Sequence, residues 1–241
     1  MTFLLVWIFP TITKLKDIQK IVESLPPFIK AMLGEELLPI TSFEGFMSIR
    51  YFNMAVVWIF SIFTILYCAP MISADMETQR IEMVLSQPIR RYEVIIARFA
   101  GYFVYLMGLT AIALGALFAG IKSIGIETDF LLILKVFVAF LPLEIAVASV
   151  CLFLSCLVDE PLKATFYSLG LFIFFYFLKA ILVLTPTMQS LRIFNPFYYF
   201  DATSVVKHNS LYPSNMAVLL ALGVVFFIAS LVYFQKKEIY V

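Results

Sequence analysis

Charged residues are scarce in this sequence. Asp, Glu, Lys and Arg make up 14% of its 241 residues, whereas they make up about a quarter of the residues of an ordinary soluble domain. The two signs nearly cancel, since the formal net charge is +1. Such a balance excludes the strong electrostatic field with which a protein attracts nucleic acid or an acidic substrate. We therefore expect no nucleic-acid partner.

Side chains that bind metals or carry out redox chemistry are equally rare. The sequence has one histidine, His208, and three cysteines, Cys68, Cys151 and Cys156. The cysteines fall in apolar stretches without metal-ligand spacing, so packing is their expected role, and His208 is expected to lie at the surface. There is no HExxH motif and no nucleophile with a matching base, which argues against a membrane-embedded enzyme. We expect no catalytic residue, metal site or cofactor in this chain.

Hydrophobic residues dominate instead, at 63% of the chain, with 17% aromatic residues. Five apolar segments are long enough to cross a bilayer as helices, which takes about 20 residues. These predicted spans are Phe52 to Ser73, Phe99 to Ile121, Phe130 to Val158, Ala164 to Thr185 and Met216 to Phe234. Pro70 is expected to kink the first of them.

A shorter apolar run, Met1 to Phe9, supplies about half of a further span. We expect it to be a truncated first span, with Met1 an internal start. The sequence thus predicts an all-α, polytopic membrane protein with six transmembrane helices, forming a single domain over residues 1–241. Glycines recur seven apart at Gly101, Gly108 and Gly115, which predicts a face on which helices pack closely.

The densest run of charge extends from Asp75 to Arg98, between two long apolar segments. Its first half predicts a short amphipathic helix, because apolar and charged residues recur on opposite faces at helical spacing. The apolar face comprises Ile81, Val84 and Leu85, and the polar face comprises Glu77, Arg80 and Glu82. Ser86 and Gln87 can cap a second helix that begins near Pro88, a residue tolerated in a first helical turn. This second helix is expected to continue directly into the next span.

The order of residues in this loop resembles a known family. An acidic residue, a short amphipathic helix, Leu, Ser, any residue, Pro, an aliphatic residue and Arg also occur in the cytoplasmic loop between the second and third spans of type 2 ABC exporter permeases. In that family the loop holds a coupling helix that sits in a groove of the ATPase subunit. The resemblance implies that the ATPase contact is formed by Glu77, Arg80, Glu82, Leu85, Ser86, Pro88, Ile89, Arg90 and Arg91.

This resemblance implies a permease subunit of an ATP-driven exporter in the cell membrane. Six spans are half of what such an exporter needs, so the implied partners are a second permease chain, identical or different, and cytoplasmic ATPase subunits that bind the ATP. A near-match to a P-loop at Gly115 to Ser123 has an extra residue and no preceding strand, so we expect no ATP site in this chain. Lys and Arg are divided almost equally between the two membrane faces, and the cytoplasmic side is assigned from the resemblance.

Glu144 lies deep in the span from Phe130 to Val158. A charge near the bilayer centre costs about 2.5 to 3.5 kcal/mol by insertion scales, so such a residue normally faces protein or water. Two interpretations remain open: a buried structural hydrogen bond, or a place on a pathway for substrate or ions. The second underlies an alternative function, a secondary transporter driven by an ion gradient with Glu144 as its proton or sodium site.

Overall fold

The computed structural model describes residues 47–80, 90–124 and 129–237, together with Pro26. Every secondary-structure element in these ranges is helical, which confirms the all-α prediction. A π-helical segment, Met47–Val56, leads into α1, Val57–Cys68. The helices that follow are α2 (Ser73–Glu77), α3 (Arg91–Ile124), α4 (Phe130–Leu157), α5 (Pro161–Leu184), two 3-10 segments (Pro186–Phe194 and Pro196–Tyr198), α6 (Ala202–His208) and α7 (Pro213–Lys236).

Within the described ranges, five helical stretches are long and apolar enough to cross a membrane, as the sequence predicts. They are Tyr51–Glu77, Arg91–Ser123, Phe130–Leu157, Pro161–Leu182 and Pro213–Lys236. The predicted truncated span at Met1 to Phe9 lies outside the described residues, and so do residues 81–89 of the predicted coupling helix. The count of six spans therefore stays a prediction.

The helix of the first described span is interrupted at Pro70, where the sequence predicts a kink. Helix α1 ends at Cys68, and a turn that contains Pro70 separates it from α2. The chain stays tightly wound through this turn, because Ala69 N–H donates to Ile65 O at 2.9 Å and Ala74 N–H donates to Pro70 O at 3.0 Å. The first described span thus ends in the short helix α2, which carries charge.

The chain divides into two compact units. The first unit consists of residues up to 59, 109–141 and 175–216, and the second of residues 60–108, 142–174 and 217–241. In the first unit, buried aromatic rings pack edge to face or at a tilt: Phe52 on Phe137 with 5.4 Å between ring centroids, and Phe140 on Phe200 with 5.3 Å. Such pairs add stability beyond the apolar area that they bury.

Asn53 organises the polar part of the first unit. Its Nδ2 donates to Asp201 Oδ1 and to Thr203 Oγ1, both at 2.9 Å, and its Oδ1 accepts from Ala202 N–H at 2.9 Å. Asp201 in turn caps the N-terminus of α6 by accepting from Thr203 N–H and Ser204 N–H. Every polar atom of the Asn53 side chain thus has a partner, as burial requires.

The described residues do not form the glycine seam that the sequence predicts on α3. Among the described residues, an added Cβ at Gly108 or Gly115 would meet nothing within 4 Å, and at Gly101 it would meet Tyr67 Oη at 3.7 Å. The close helix approach occurs instead on α7, where a Cβ at Gly223 would lie 3.5 Å from Ala146 Cα. Three glycines on one helical face show only that the face lacks side chains at these positions. In this chain the three glycines are exposed.

Candidate functional site

A cluster of polar side chains surrounds Glu144 in the second unit. Ser61 Oγ donates to Glu144 Oε1 at 2.7 Å, and Thr64 Oγ1 donates to Glu144 Oε2 at 2.6 Å. The hydroxyl of Tyr102 lies 3.0 Å from Thr64 Oγ1 and 3.4 Å from the backbone oxygen of Glu144. We call these four residues the Glu144 cluster. It joins α1, α3 and α4 through polar side chains in the middle of apolar helices.

The position of each member follows from helical spacing. Ser61 and Thr64 are three residues apart on α1 and so lie on the same face, one above the other. Tyr102 and Glu144 have no solvent exposure, and Ser61 and Thr64 have at most 2%. Both carboxyl oxygens therefore find hydroxyl donors without any contact with water, as a buried polar group requires. The sequence singled out Glu144 but missed Ser61, Thr64 and Tyr102.

The hydrogen bonds of the Glu144 cluster hold the Glu144 carboxyl group in one position. Among the ion pairs recorded for the described residues, none involves Glu144. Hydroxyl groups can donate to a carboxylate or accept from a protonated carboxyl group, so the cluster tolerates either state. The structure thus provides the hydrogen bonds that the structural interpretation of Glu144 needs. A role for Glu144 in substrate or ion passage stays a prediction.

A second group of polar contacts lies at the ends of the helices that flank residues 81–89. Asp75 on α2 forms an ion pair with Arg98 on α3. Ser155 Oγ, near the end of α4, accepts from Ile72 N–H at 2.9 Å and from Ser73 N–H at 3.1 Å, which satisfies donors at the start of α2. Helix α2 is thus held by α3 on one side and by α4 on the other.

The end of α7 joins the same region. Arg91 Nη1 donates to the backbone oxygen of Lys237 at 2.8 Å. The Lys237 ammonium group contacts Asp159 Oδ1 at 2.6 Å and Cys156 O at 2.8 Å. The start of α3, the turn after α4 and the residue after α7 are therefore connected by charged side chains. We call the contacts of Asp75, Arg98, Ser155, Arg91 and Lys237 the loop-flank contacts.

A groove of about 740 Å³ runs beside the ion pair of Asp75 and Arg98. Its lining includes Tyr67 and Met71 from the end of the first described span, and Glu93 and Arg98 from α3. The groove thus offers apolar and charged groups side by side next to the loop, a combination common at protein interfaces.

The sequence model of a family described as ABC-2 family transporter protein matches residues 4–239. The chain belongs to the ABC-2 transporter family. Members of this family are the membrane permease components of ABC transporters and carry no ATPase site of their own. Together with the five long apolar helices, membership makes this chain a multi-pass protein of the cell membrane. Comparisons with curated proteins and with solved structures give no match.

Of the nine residues predicted to contact the ATPase of this ABC-2 permease, the structure describes four. Glu77, Arg80 and Arg90 are exposed, whereas Arg91 is half-buried and bonded to Lys237 O. The positive φ of Gln79, 54°, ends α2 with a sharp turn just before this region. Glu82, Leu85, Ser86, Pro88 and Ile89 lie outside the described residues.

Arg90 is an exposed cation at the surface of the protein. Its Nη1 donates to Tyr92 Oη at 3.0 Å, and its backbone N–H donates to the Glu93 carboxylate at 3.2 Å. The hydrogen bond to Tyr92, with the nearby charge of Glu93, raises the pKa of the guanidinium group further above its ordinary value. Arg90 therefore stays charged under all physiological conditions. Of the two neighbouring arginines, it is the one open to a partner.

Proposed function

We propose that this chain is the membrane-spanning permease subunit of an ATP-binding-cassette exporter. A separate cytoplasmic ATPase subunit binds and hydrolyses the ATP, and a second permease chain completes the pathway. The family match across residues 4–239 is the observation that carries this proposal. The loop motif around Ser86, Pro88 and Arg90 resembles the coupling loop of exporter permeases, and this resemblance supports docking of the ATPase at this loop. No cofactor in this chain is required.

The loop-flank contacts support a mechanical role for this loop. Because Asp75 pairs with Arg98, a force applied to the loop moves the ends of α2 and α3 together instead of spreading them apart. The bonds of Ser155 to the start of α2 pass the same displacement to α4. A loop held only by its two chain ends would absorb the movement of a soluble partner. The observed contacts hold the helix ends on either side of the loop together. Such a connection is required if motion of the ATPase is to tilt the helices.

Co-purification of the ATPase with tagged permease tests this proposal. Arg90→Glu reverses an exposed charge without touching the bond between Arg91 and Lys237, so the permease itself should remain intact. We expect ATPase recovery to fall, because a reversed charge at an interface adds repulsion and leaves its former partner unpaired. Lys236→Glu is the matched control, since Lys236 is an exposed cation at the end of α7.

Both variants are compared with the wild type at equal membrane levels, with ATPase recovery measured by mass spectrometry. Equal recovery with Arg90→Glu and the wild type would remove this side of the loop as the docking site. Loss of membrane insertion with retained binding would instead show that Arg90 acts on lipid phosphates.

A secondary transporter driven by an ion gradient is the second candidate. The observation that favours it is the convergence of two hydroxyl groups, of Ser61 and Thr64, on the Glu144 carboxyl group, since such oxygens can hold a proton or a sodium ion. The two functions differ in what drives transport. An exporter carrying Glu144→Gln should still depend on ATP and ignore an imposed proton or sodium gradient, whereas a secondary transporter would follow the gradient without nucleotide.

A further inference from the structure

Lys237, the residue that follows α7, is largely withdrawn from water. Its side chain is 13% exposed, whereas the adjacent Lys236 is exposed. A cation at the end of a membrane span usually extends towards water and lipid phosphates, because burial of a charge without partners costs free energy. The partners that Lys237 has within the protein therefore indicate what this residue does.

The ammonium group of Lys237 holds the end of α4. Its Nζ donates to Cys156 O at 2.8 Å and contacts Asp159 Oδ1 at 2.6 Å. Cys156 O is among the last four carbonyl groups of α4, and such groups lack partners within their own helix. A cation at a helix C-terminus also interacts favourably with the helix dipole. The side chain of Lys237 is thus fixed both to α4 and to the turn that follows it.

The backbone of Lys237 holds the start of α3. Its N–H donates to Tyr233 O at 3.0 Å, so this residue continues the hydrogen bonding of α7. Its carbonyl oxygen accepts from Arg91 Nη1 at 2.8 Å, and Arg91 is the first residue of α3. One residue therefore holds the beginning of α3 with its backbone and the end of α4 with its side chain.

These bonds bear on Arg90, because adjacent side chains at the start of a helix point to different sides. Arg91 is held at Lys237 O and is half-buried, whereas Arg90 is exposed. We propose that Lys237 is a positioning residue for the ATPase contact: through α4 and Arg91 it sets the direction in which Arg90 faces the partner. This inference rests on the proposed function, in which the ATPase docks at this loop.

Hydrogen–deuterium exchange of the full chain in detergent, without the ATPase, tests the positioning by itself. We expect Lys237→Gln to make amide exchange about tenfold faster in the first turns of α3 and the last turn of α4. A hydrogen bond from a charged group shifts a local opening equilibrium by about this factor. Lys237→Arg keeps the charge and should retain most of the protection. Lys236→Gln is the matched control and should leave exchange unchanged.

Co-purification with the ATPase, at equal membrane levels, measures the consequence for docking. We expect Lys237→Gln to lower ATPase recovery and Lys237→Arg to restore most of it. A double-mutant cycle separates positioning from an independent contact. If Lys237 acts through Arg90, Lys237→Gln should have little further effect in a chain that already carries Arg90→Glu. Asp159→Asn removes the same ion pair from an exposed position, so it tests the link even if Lys237→Gln folds poorly.

The two measurements fail in different ways. Unchanged exchange in both Lys237→Gln and Asp159→Asn would overturn the positioning of α3, whatever the function of the chain. If exchange becomes faster and Arg90→Glu alone lowers ATPase recovery, Arg90 docks without help from Lys237 and the inference is wrong. It is equally wrong if the two effects on recovery simply add. Recovery that Arg90→Glu does not change would overturn the inference together with the proposed docking site.

Discussion

Replacement of Glu144 by leucine and by glutamine should have different effects on the stability of the protein. Glu144→Leu removes both acceptors of the Ser61 and Thr64 hydroxyl groups, which bond to it at 2.7 and 2.6 Å. Glutamine has the same shape, accepts one of these bonds with its oxygen and can donate its amide to the other hydroxyl oxygen. The polar contacts between α1 and α4 would be lost in the first variant and largely kept in the second.

The size of the effect follows from hydrogen bonds measured in membrane proteins. These contribute about 0.6 kcal/mol on average and up to about 1.7 kcal/mol between helices. With two such bonds lost, we expect Glu144→Leu to lower the free energy of unfolding by about 1 to 3 kcal/mol. We expect Glu144→Gln to remain within about 1 kcal/mol of the wild type, since both hydroxyl groups keep partners.

Reversible unfolding in mixed micelles measures this free energy. Ser149→Ala is the matched control: Ser149 is buried on the same helix, but its hydroxyl donates to Ile145 O within α4 at 2.8 Å. It should change stability much less than Glu144→Leu does. A double-mutant cycle between Glu144→Leu and Thr64→Val should show a coupling energy of at least about 0.5 kcal/mol. Equal stability of the leucine variant and the wild type, or zero coupling, would refute the assignment of the cluster as a link between helices.

Two further predictions concern charged residues outside the Glu144 cluster. Arg98→Asp should reduce transport more than ATP hydrolysis, because it breaks the contact between α2 and α3. Asp75→Arg in the same chain should restore the coupling of hydrolysis to transport. If the double variant does not recover in a transport assay on reconstituted vesicles, the pair does not link the two helices. Asp201→Asn should lower the melting temperature at neutral pH. Because the folded-state pKa of Asp201 lies below its ordinary value, its charge contributes stability above pH of about 4, and this contribution is lost as the pH falls through the folded-state pKa. The difference between the variant and the wild type should therefore shrink in acid, and a difference independent of pH would contradict this account.

The five described spans could be predicted from the sequence because lipid imposes a simple requirement. A bilayer needs about 20 apolar residues in a row with all backbone groups paired, and only a helix provides this in a single segment. The helix ends also have physical causes. Helix α3 begins at Arg91, before the apolar run that begins at Phe99, which agrees with the prediction that the second helix of the loop continues directly into this span. A helix continues into water wherever its charged side chains are solvated. Helix α5 begins at Pro161 because proline is tolerated in a first turn.

The partners of each polar residue could not be predicted in this way. Glu144 stands out because a carboxyl group in an apolar run is costly, but serine and threonine are common in membrane helices and carry no such signal. The spacing of Ser61 and Thr64 shows that both lie on one face of α1. It predicts a contact with Glu144 only once α4 is known to pack against that face. The glycine repeat on α3 misled for the same reason, since periodicity identifies a face and not its neighbour.

The Glu144 cluster and the loop-flank contacts lie on the same helices. A displacement of the loop can therefore be transmitted to the parts of these helices around Glu144. Arg98 and Tyr102 are four residues apart on α3, so they lie on one face and about 6 Å apart along the helix axis. Arg98 holds α2 through Asp75, and Tyr102 contacts α1 through Thr64, so the first described span and α3 are joined at two levels. Two helices joined at two levels cannot rotate freely against each other. A tilt imposed at Asp75 must therefore also displace Thr64, and the bond from Thr64 to Glu144 carries that displacement to α4.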